Sequence, residues 1–182
     1  VTRIDVGSVL RHSANLPFSD LVTRPTGAAV RRCIQTELAA LSEGDVALLD
    51  FSHIGMMDYS CADEVVAKLL IALAGQDAHA GYIVFHGITD AHLEAIEVVL
   101  DHHGLALVVQ FADGGARLVG SVSDEERAIW EMVYARGSAA ADDVADVAGR
   151  EPAEMARILE SLLRRRLLRH DGVTYAPLGP VQ

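Results

Sequence analysis

Cysteine is scarce in this chain. Cys33 and Cys61 are the only two, with no Cys-x-x-Cys pair, so neither a disulfide framework nor a thiolate zinc site is expected, and the usage fits a reducing cytoplasm. Long apolar runs are missing as well. The longest, Val65 to Ala74, is broken by Lys68 and falls well short of the ~20 residues a bilayer-spanning helix needs, so a soluble protein is expected. The first residues, VTRIDVGSVLRHS, have no basic start followed by an apolar stretch and a small-residue cleavage site, so no secretory signal is visible. Positive charge is also in short supply. With 15 Lys and Arg against 26 Asp and Glu the formal charge is −11, which opposes non-specific attraction to nucleic acid or an anionic membrane and suits basic partners.

What is present is ample for a packed core: 182 residues, 51% of them apolar, enough for one medium domain or two small ones. The chain is best read outward from Val46 to Leu73. Val46 to Phe51 is a short apolar run ending around Asp50, as suits a strand covered on both faces. After a loop, Val65, Val66, Leu69, Leu70 and Leu73 recur at helical spacing, with Asp63, Glu64 and Lys68 expected on the opposite face. Ser60 is expected to cap this helix, paired with Asp63 in a capping-box pattern.

Around this centre the pattern alternates. Arg3 to Leu10 reads as a first strand and His12 to Thr23 as a loop. Thr26 to Leu41 reads as a helix burying Val30, Cys33, Ile34, Leu38 and Leu41, with Arg31 and Arg32 outward. Gly75 to Gly81 is a break, Tyr82 to His86 a strand, and Asp90 the cap of a helix that buries Leu93, Ile96, Val99 and Leu100 and ends at a left-handed Gly104. Leu105 to Phe111 and Ala116 to Gly120 form a hairpin about Ala112 to Gly115. Alternating strands and helices of this kind predict a layered α/β domain. Past Gly120 the period turns helical. Asp124 to Ala135, Asp142 to Ala148 and a helix from Pro152, burying Met155, Ile158, Leu159, Leu162 and Leu163, are followed by two short strands about Asp171 and Gly172. A boundary is predicted at residues 120 to 123, giving units 1–120 and 121–182, each expected to fold by itself.

Two resemblances follow from these stretches. The run LLDFSHIGMMDYSCADEVVAKLL resembles the loop and helix of STAS domains, the modules of anti-sigma-factor antagonists and sulphate-transporter tails, and is closer still to a divergent STAS-like family often found beside histidine-kinase-type ATPases. In the antagonists an Asp-Ser-Ser-Gly at the helix start carries a phosphorylated serine. Asp58, Tyr59, Ser60 and Cys61 fill those places here, so the phosphoacceptor position falls on Tyr59 and Ser60 matches only the second serine. The resemblance implies a partner-facing surface, for which Asp58, Tyr59, Ser60 and Asp63 are the candidates, with Ile54, Met56 and Met57 expected to anchor the loop in the core. The stretch from Glu126 to Leu178 is similar to winged helix-turn-helix domains, an architecture that serves DNA binding and protein contact alike.

On charge, the two parts carry 7 basic against 15 acidic and 8 basic against 11 acidic residues. A DNA-reading helix from Pro152 would present Glu151 and Glu154 near base edges, which is unfavourable, whereas Arg157, Arg164, Arg165, Arg166 and Arg169 are candidates for holding a phosphate backbone. Arginines at a helix C-terminus are equally explained by its dipole. The histidines show no metal-binding spacing, and no metal or cofactor is expected. His53, Asp58 and Ser60 do not form an ordered triad, and Gly114-Gly115 reads as a turn, so no enzymatic activity is expected. The sequence therefore favours a cytoplasmic regulatory protein acting through a protein partner, with a DNA-binding regulator as the alternative.

Overall fold

The computed structural model describes residues 1–14, 17–75 and 81–179. Its first half alternates strand and helix: β1 (Thr2–Asp5), α1 (Val6–Ala14), α2 (Arg24–Leu38), β2 (Val46–Asp50), α3 (Tyr59–Ala62), a π-helical turn (Asp63–Ala67), α4 (Lys68–Ala74), β3 (Tyr82–His86), α5 (Asp90–His103), β4 (Ala106–Gln110) and β5 (Ala116–Gly120). Helices α6 (Asp124–Arg136), α7 (Ala141–Ala148) and α8 (Pro152–Arg164) follow, and then an antiparallel ribbon of β6 (Leu168–His170) and β7 (Tyr175–Pro177). The fold is mixed α/β. Among the described residues no helix is long and apolar enough to cross a membrane.

The main sheet has the order β1-β2-β3-β4-β5, with β1 to β4 parallel and β5 antiparallel to β4. Each parallel crossover advances one strand in the same direction. Right-handed crossovers of a single direction all pass over the same face of a sheet. Accordingly α1 to α5 pack on Ile4, Ala47, Leu49, Ile83, Phe85, Leu107 and Val109, all on one face. The alternate residues Val46, Leu48, Val84, Ala106, Val108 and Leu118 point to the other face, which no crossover helix can reach. They pack on Ile129, Trp130, Val133, Met155, Leu159 and Leu162 of α6 and α8. The boundary at 120 to 123 is thus a change of secondary structure, while the apolar core runs across it. The expectation that each part folds by itself does not allow for this shared face.

Several local expectations are corrected. Arg3 to Leu10 is not one strand: β1 stops at Asp5, whose carboxylate accepts from the Gly7 and Ser8 amides at 3.0 and 3.3 Å and from Ser8 Oγ at 2.8 Å. A carboxylate there favours a helix start, and Val6, Val9 and Leu10 supply the buried stripe of α1. His12 to Ala14 complete α1 and are not loop. Thr89, not Asp90, caps α5, accepting from the His92 amide at 3.2 Å. Gly104 ends that helix in the left-handed region at φ 63°, as its sequence position predicts. Most of the break expected over Gly75 to Gly81 lies outside the described residues.

Candidate functional site

The loop after β2 does not stand alone. Residues 19–23, between α1 and α2, run alongside residues 55–58 and pair with them through the backbone: Gly55 N–H to Ser19 O at 2.9 Å, Leu21 N–H to Met56 O at 2.8 Å and Asp58 N–H to Leu21 O at 3.0 Å. The Asp20 carboxylate accepts a further bond from the Met56 amide at 2.8 Å. From behind, buried His92 donates through Nε2 to the Gly55 carbonyl at 2.6 Å, its Nδ1 accepting from the Thr89 amide. Leu21, Ile54 and Met57 point into the core, while Phe18, Met56 and Tyr59 stand out at 62, 63 and 52% exposure, with Val22 beside them. Met56 therefore does not anchor the loop, contrary to expectation; Ile54 and Met57 do.

Asp58 closes the ridge onto the helix. Its carboxylate accepts from the Cys61 amide and from Ser60 Oγ, each at 2.8 Å, and from the Thr23 amide at 2.9 Å. Asp58, not Ser60, is the N-cap of α3, and Ser60 makes no capping box with Asp63. Burial by itself would raise the Asp58 pKa, but the bonds from Thr23, Cys61 and Ser60 outweigh it and hold the carboxyl below its usual range. Thr23 sits at φ 71°, a region costly for a branched residue, held there by its amide bond to Asp58 and by the Cys61 thiol on its carbonyl at 3.0 Å. Burial, with Asp58 nearby, pushes the Cys61 thiol up to about 12, so it is not a nucleophile at neutral pH.

Immediately after α3 the helix widens, with Lys68 N–H bonded five residues back to Asp63 O. The widening turns Glu64 inward, to 3% exposure, where sequence spacing had put it outside. Glu64 accepts from Arg24 at 2.9 Å, from Arg31 at 3.2 Å and from Lys68, so Arg31 does not face outward as expected. Asp63 binds Arg24 at 2.6 Å and His103 at 2.8 Å. Burial opposes ionisation of both carboxylates, but the hydrogen bonds these side chains donate and the charges of Arg24 and Lys68 outweigh it and lower both pKa values. Gly27 is what admits α2 this close, since a Cβ there would lie 3.0 Å from Glu64 Cβ and 3.1 Å from Cys61 Cα. Of the four residues picked from sequence, Asp58, Ser60 and Asp63 are engaged within the protein and Tyr59 alone projects. Phe18, Val22 and Met56 were missed; the two-loop pairing that exposes them has no local sequence signal.

The five arginines are divided too. Arg165 donates to Glu126 at 3.3 Å and to the Ser121 carbonyl, and Arg166, at φ 56°, donates to the Gly81 carbonyl at 3.3 Å. Arg157, Arg164 and Arg169 are exposed. Asp142, Asp143 and Asp146 on α7 and Glu151 and Glu160 at α8 are exposed as well. At the carboxyl edge of the parallel strands, Asp50 accepts from Arg3 and Ser52, His53 meets Asp5 at 3.2 Å, and His86 meets the Gln110 carbonyl. Strands added in sequential order give no reversal of direction, the point at which such sheets open a ligand crevice. No group of three His, Cys, Asp or Glu side chains among the described residues is placed to hold a metal.

No protein-family model, curated protein or solved structure matches the chain at a significant level. The pairing of the two loops leaves Phe18, Val22, Met56 and Tyr59 exposed on and beside a hydrogen-bonded backbone.

Proposed function

We propose that the chain is a non-enzymatic regulatory protein of the cytoplasm that acts by protein–protein contact, with residues 1–120 as a STAS-like domain and 121–182 as a winged helix-turn-helix domain that transmits the signal. The observation that carries this reading is the ridge at the start of α3. Four apolar or aromatic side chains, Phe18, Val22, Met56 and Tyr59, face solvent on a backbone fixed by three inter-loop hydrogen bonds. Aromatic residues and methionine are enriched at protein interfaces, and a surface already ordered loses little entropy on binding. Tyr59 takes the position of the family's phosphoacceptor, and Asp58 serves as the buttress of the surface. A histidine-kinase-type ATPase is the kind of partner the reading suits.

The test uses the full chain. A protein captured on the immobilised wild type is purified and titrated against wild type and against Met56→Ala/Tyr59→Ala. If both side chains are anchors, affinity falls by about 30-fold or more, since one hot-spot residue is worth about 2 kcal/mol. Unchanged affinity removes the ridge from the mechanism. The second reading, a DNA-binding regulator, draws on exposed Arg157, Arg164 and Arg169, with Arg165 and Arg166 beside them. Duplex DNA affinity that falls steeply with salt favours it.

A further inference from the structure

The main sheet is paired unevenly. β2 and β3 are in register at five positions, from Val46 with Tyr82 to Asp50 with His86, and β4 and β5 likewise at five. Between β3 and β4 the ladder holds only Phe85 with Val109 and His86 with Gln110. The same register carried back would set Val84 beside Val108 and Ile83 beside Leu107, and there the ladder does not continue. Parallel neighbours normally lie about 4.8 Å apart along their whole length, so a ladder interrupted in mid-sheet leaves a space between them.

That space is a cavity of about 190 Å³. Its walls are apolar, with Leu70 and Leu73 from α4, Ile83 from β3, and Leu105 and Leu107 at the start of β4. Its rim carries Arg164, Arg165 and Arg166 from the end of α8. None of the described residues that line it is a carboxylate, in a chain where acidic residues outnumber basic ones by 26 to 15. Arg165 is held by Glu126 and Ser121, and Arg166 donates to Gly81 at the lip. Arg164 is exposed, and its side chain makes no hydrogen bond or ion pair with another described residue.

We propose that the opening between β3 and β4 binds a small aromatic or branched-chain carboxylate, its hydrocarbon in the gap and its carboxylate on Arg164. An apolar cavity of about 150 Å³ admits benzene, so this one takes a single ring with a short tether. A guanidinium at the mouth selects a planar carboxylate, which it meets with two parallel N–H donors. A phosphate backbone would leave the apolar interior unused. The lining joins the sheet and α4 to the end of α8, so an occupant clamps the C-terminal helices to the sheet. None of this rests on the ridge or its partner.

Phenylacetate, phenylacetamide and acetate serve as probes, titrated into the ¹⁵N-labelled full chain while the amides of Leu105, Ala106 and Leu107 are followed. Phenylacetate is expected to shift them saturably and to bind about tenfold or more tightly than the neutral amide, with acetate inert. Arg164→Gln should bring the two aromatic probes to within about twofold of each other by weakening phenylacetate alone. Leu70→Trp fills the gap and should abolish both; Ala74→Phe at the partly open lip does the same without touching the core. Absence of saturable shifts up to about 10 mM phenylacetate overturns the site. So do shifts that survive both filling variants, and equal affinity of wild type for phenylacetate and phenylacetamide overturns the choice of a carboxylate.

Discussion

Cutting the chain after Gly120 removes everything that covers one face of the sheet. Val46, Leu48, Val84, Val108 and Leu118 are all at most 6% exposed, and their contacts on that face come from α6, α8 and the segment around Leu167. Fully burying a Val or Leu side chain is worth about 1.5–3 kcal/mol, so uncovering five forfeits roughly 8–15 kcal/mol. A compact unfolded state lowers that figure by about 10–40%. Even so it matches the whole stability of an ordinary domain, about 5–15 kcal/mol. The fragment 1–120 is therefore expected to be unfolded or associated through its bare face. Circular dichroism with a thermal scan, together with light scattering on a sizing column, reads both outcomes. A monomeric fragment with an α/β spectrum and a cooperative melt would refute the reasoning and restore two independently folding parts.

Asp58→Ala should cost about 1–2 kcal/mol through loss of the cap, and Ser60→Ala clearly less; the reverse order in thermal melts would return the cap to Ser60. Met56→Ala/Tyr59→Ala should stay within about 0.5 kcal/mol of wild type in denaturant titration, because both side chains stand in solvent. Glu64→Gln should destabilise by about 1–2 kcal/mol, a figure kept modest because Arg24 and Lys68 are half in water, and an unchanged midpoint would mean that the charge at this buried position is immaterial. Asp5, Asp50, Asp58, Asp63, Glu64 and Glu126 all have pKa values lowered in the folded protein. Groups depressed on folding contribute stability that is complete above their unfolded values, about 3.9 for Asp and 4.3 for Glu, and is lost as pH falls through the folded ones. Stability should thus hold flat from neutrality to about pH 5 and fall steeply below pH 4; a fall already under way at pH 6 would point to histidines instead.

The sequence by itself determined the class of fold and, from the helix before β2 onward, the order of elements, while α1 escaped it. The apolar runs at Val46, Tyr82 and Leu105, buried on both faces, could only be inner strands, and the glycine after His103 and the Asp113-Gly114 turn stopped their elements through φ preferences that are local to the chain. It also singled out the start of the helix after β2 as a place of interest. Only the tertiary structure decided how that place is built. Asp58 outcompeted Ser60 as the cap because the Thr23 amide, from a distant loop, gives its carboxylate one donor more, and that choice depends on residues 35 positions apart. Met56 and Met57 are chemically alike and adjacent; which of them faces water was settled by the backbone pairing with Leu21. Glu64 reads as a surface residue at 3.6 residues per turn, and one wide turn together with the approach of α2 at Gly27 brought it under three cations. The direction of the crossovers, which no single residue encodes, left one face of the sheet bare and gave the last third of the chain its place against it.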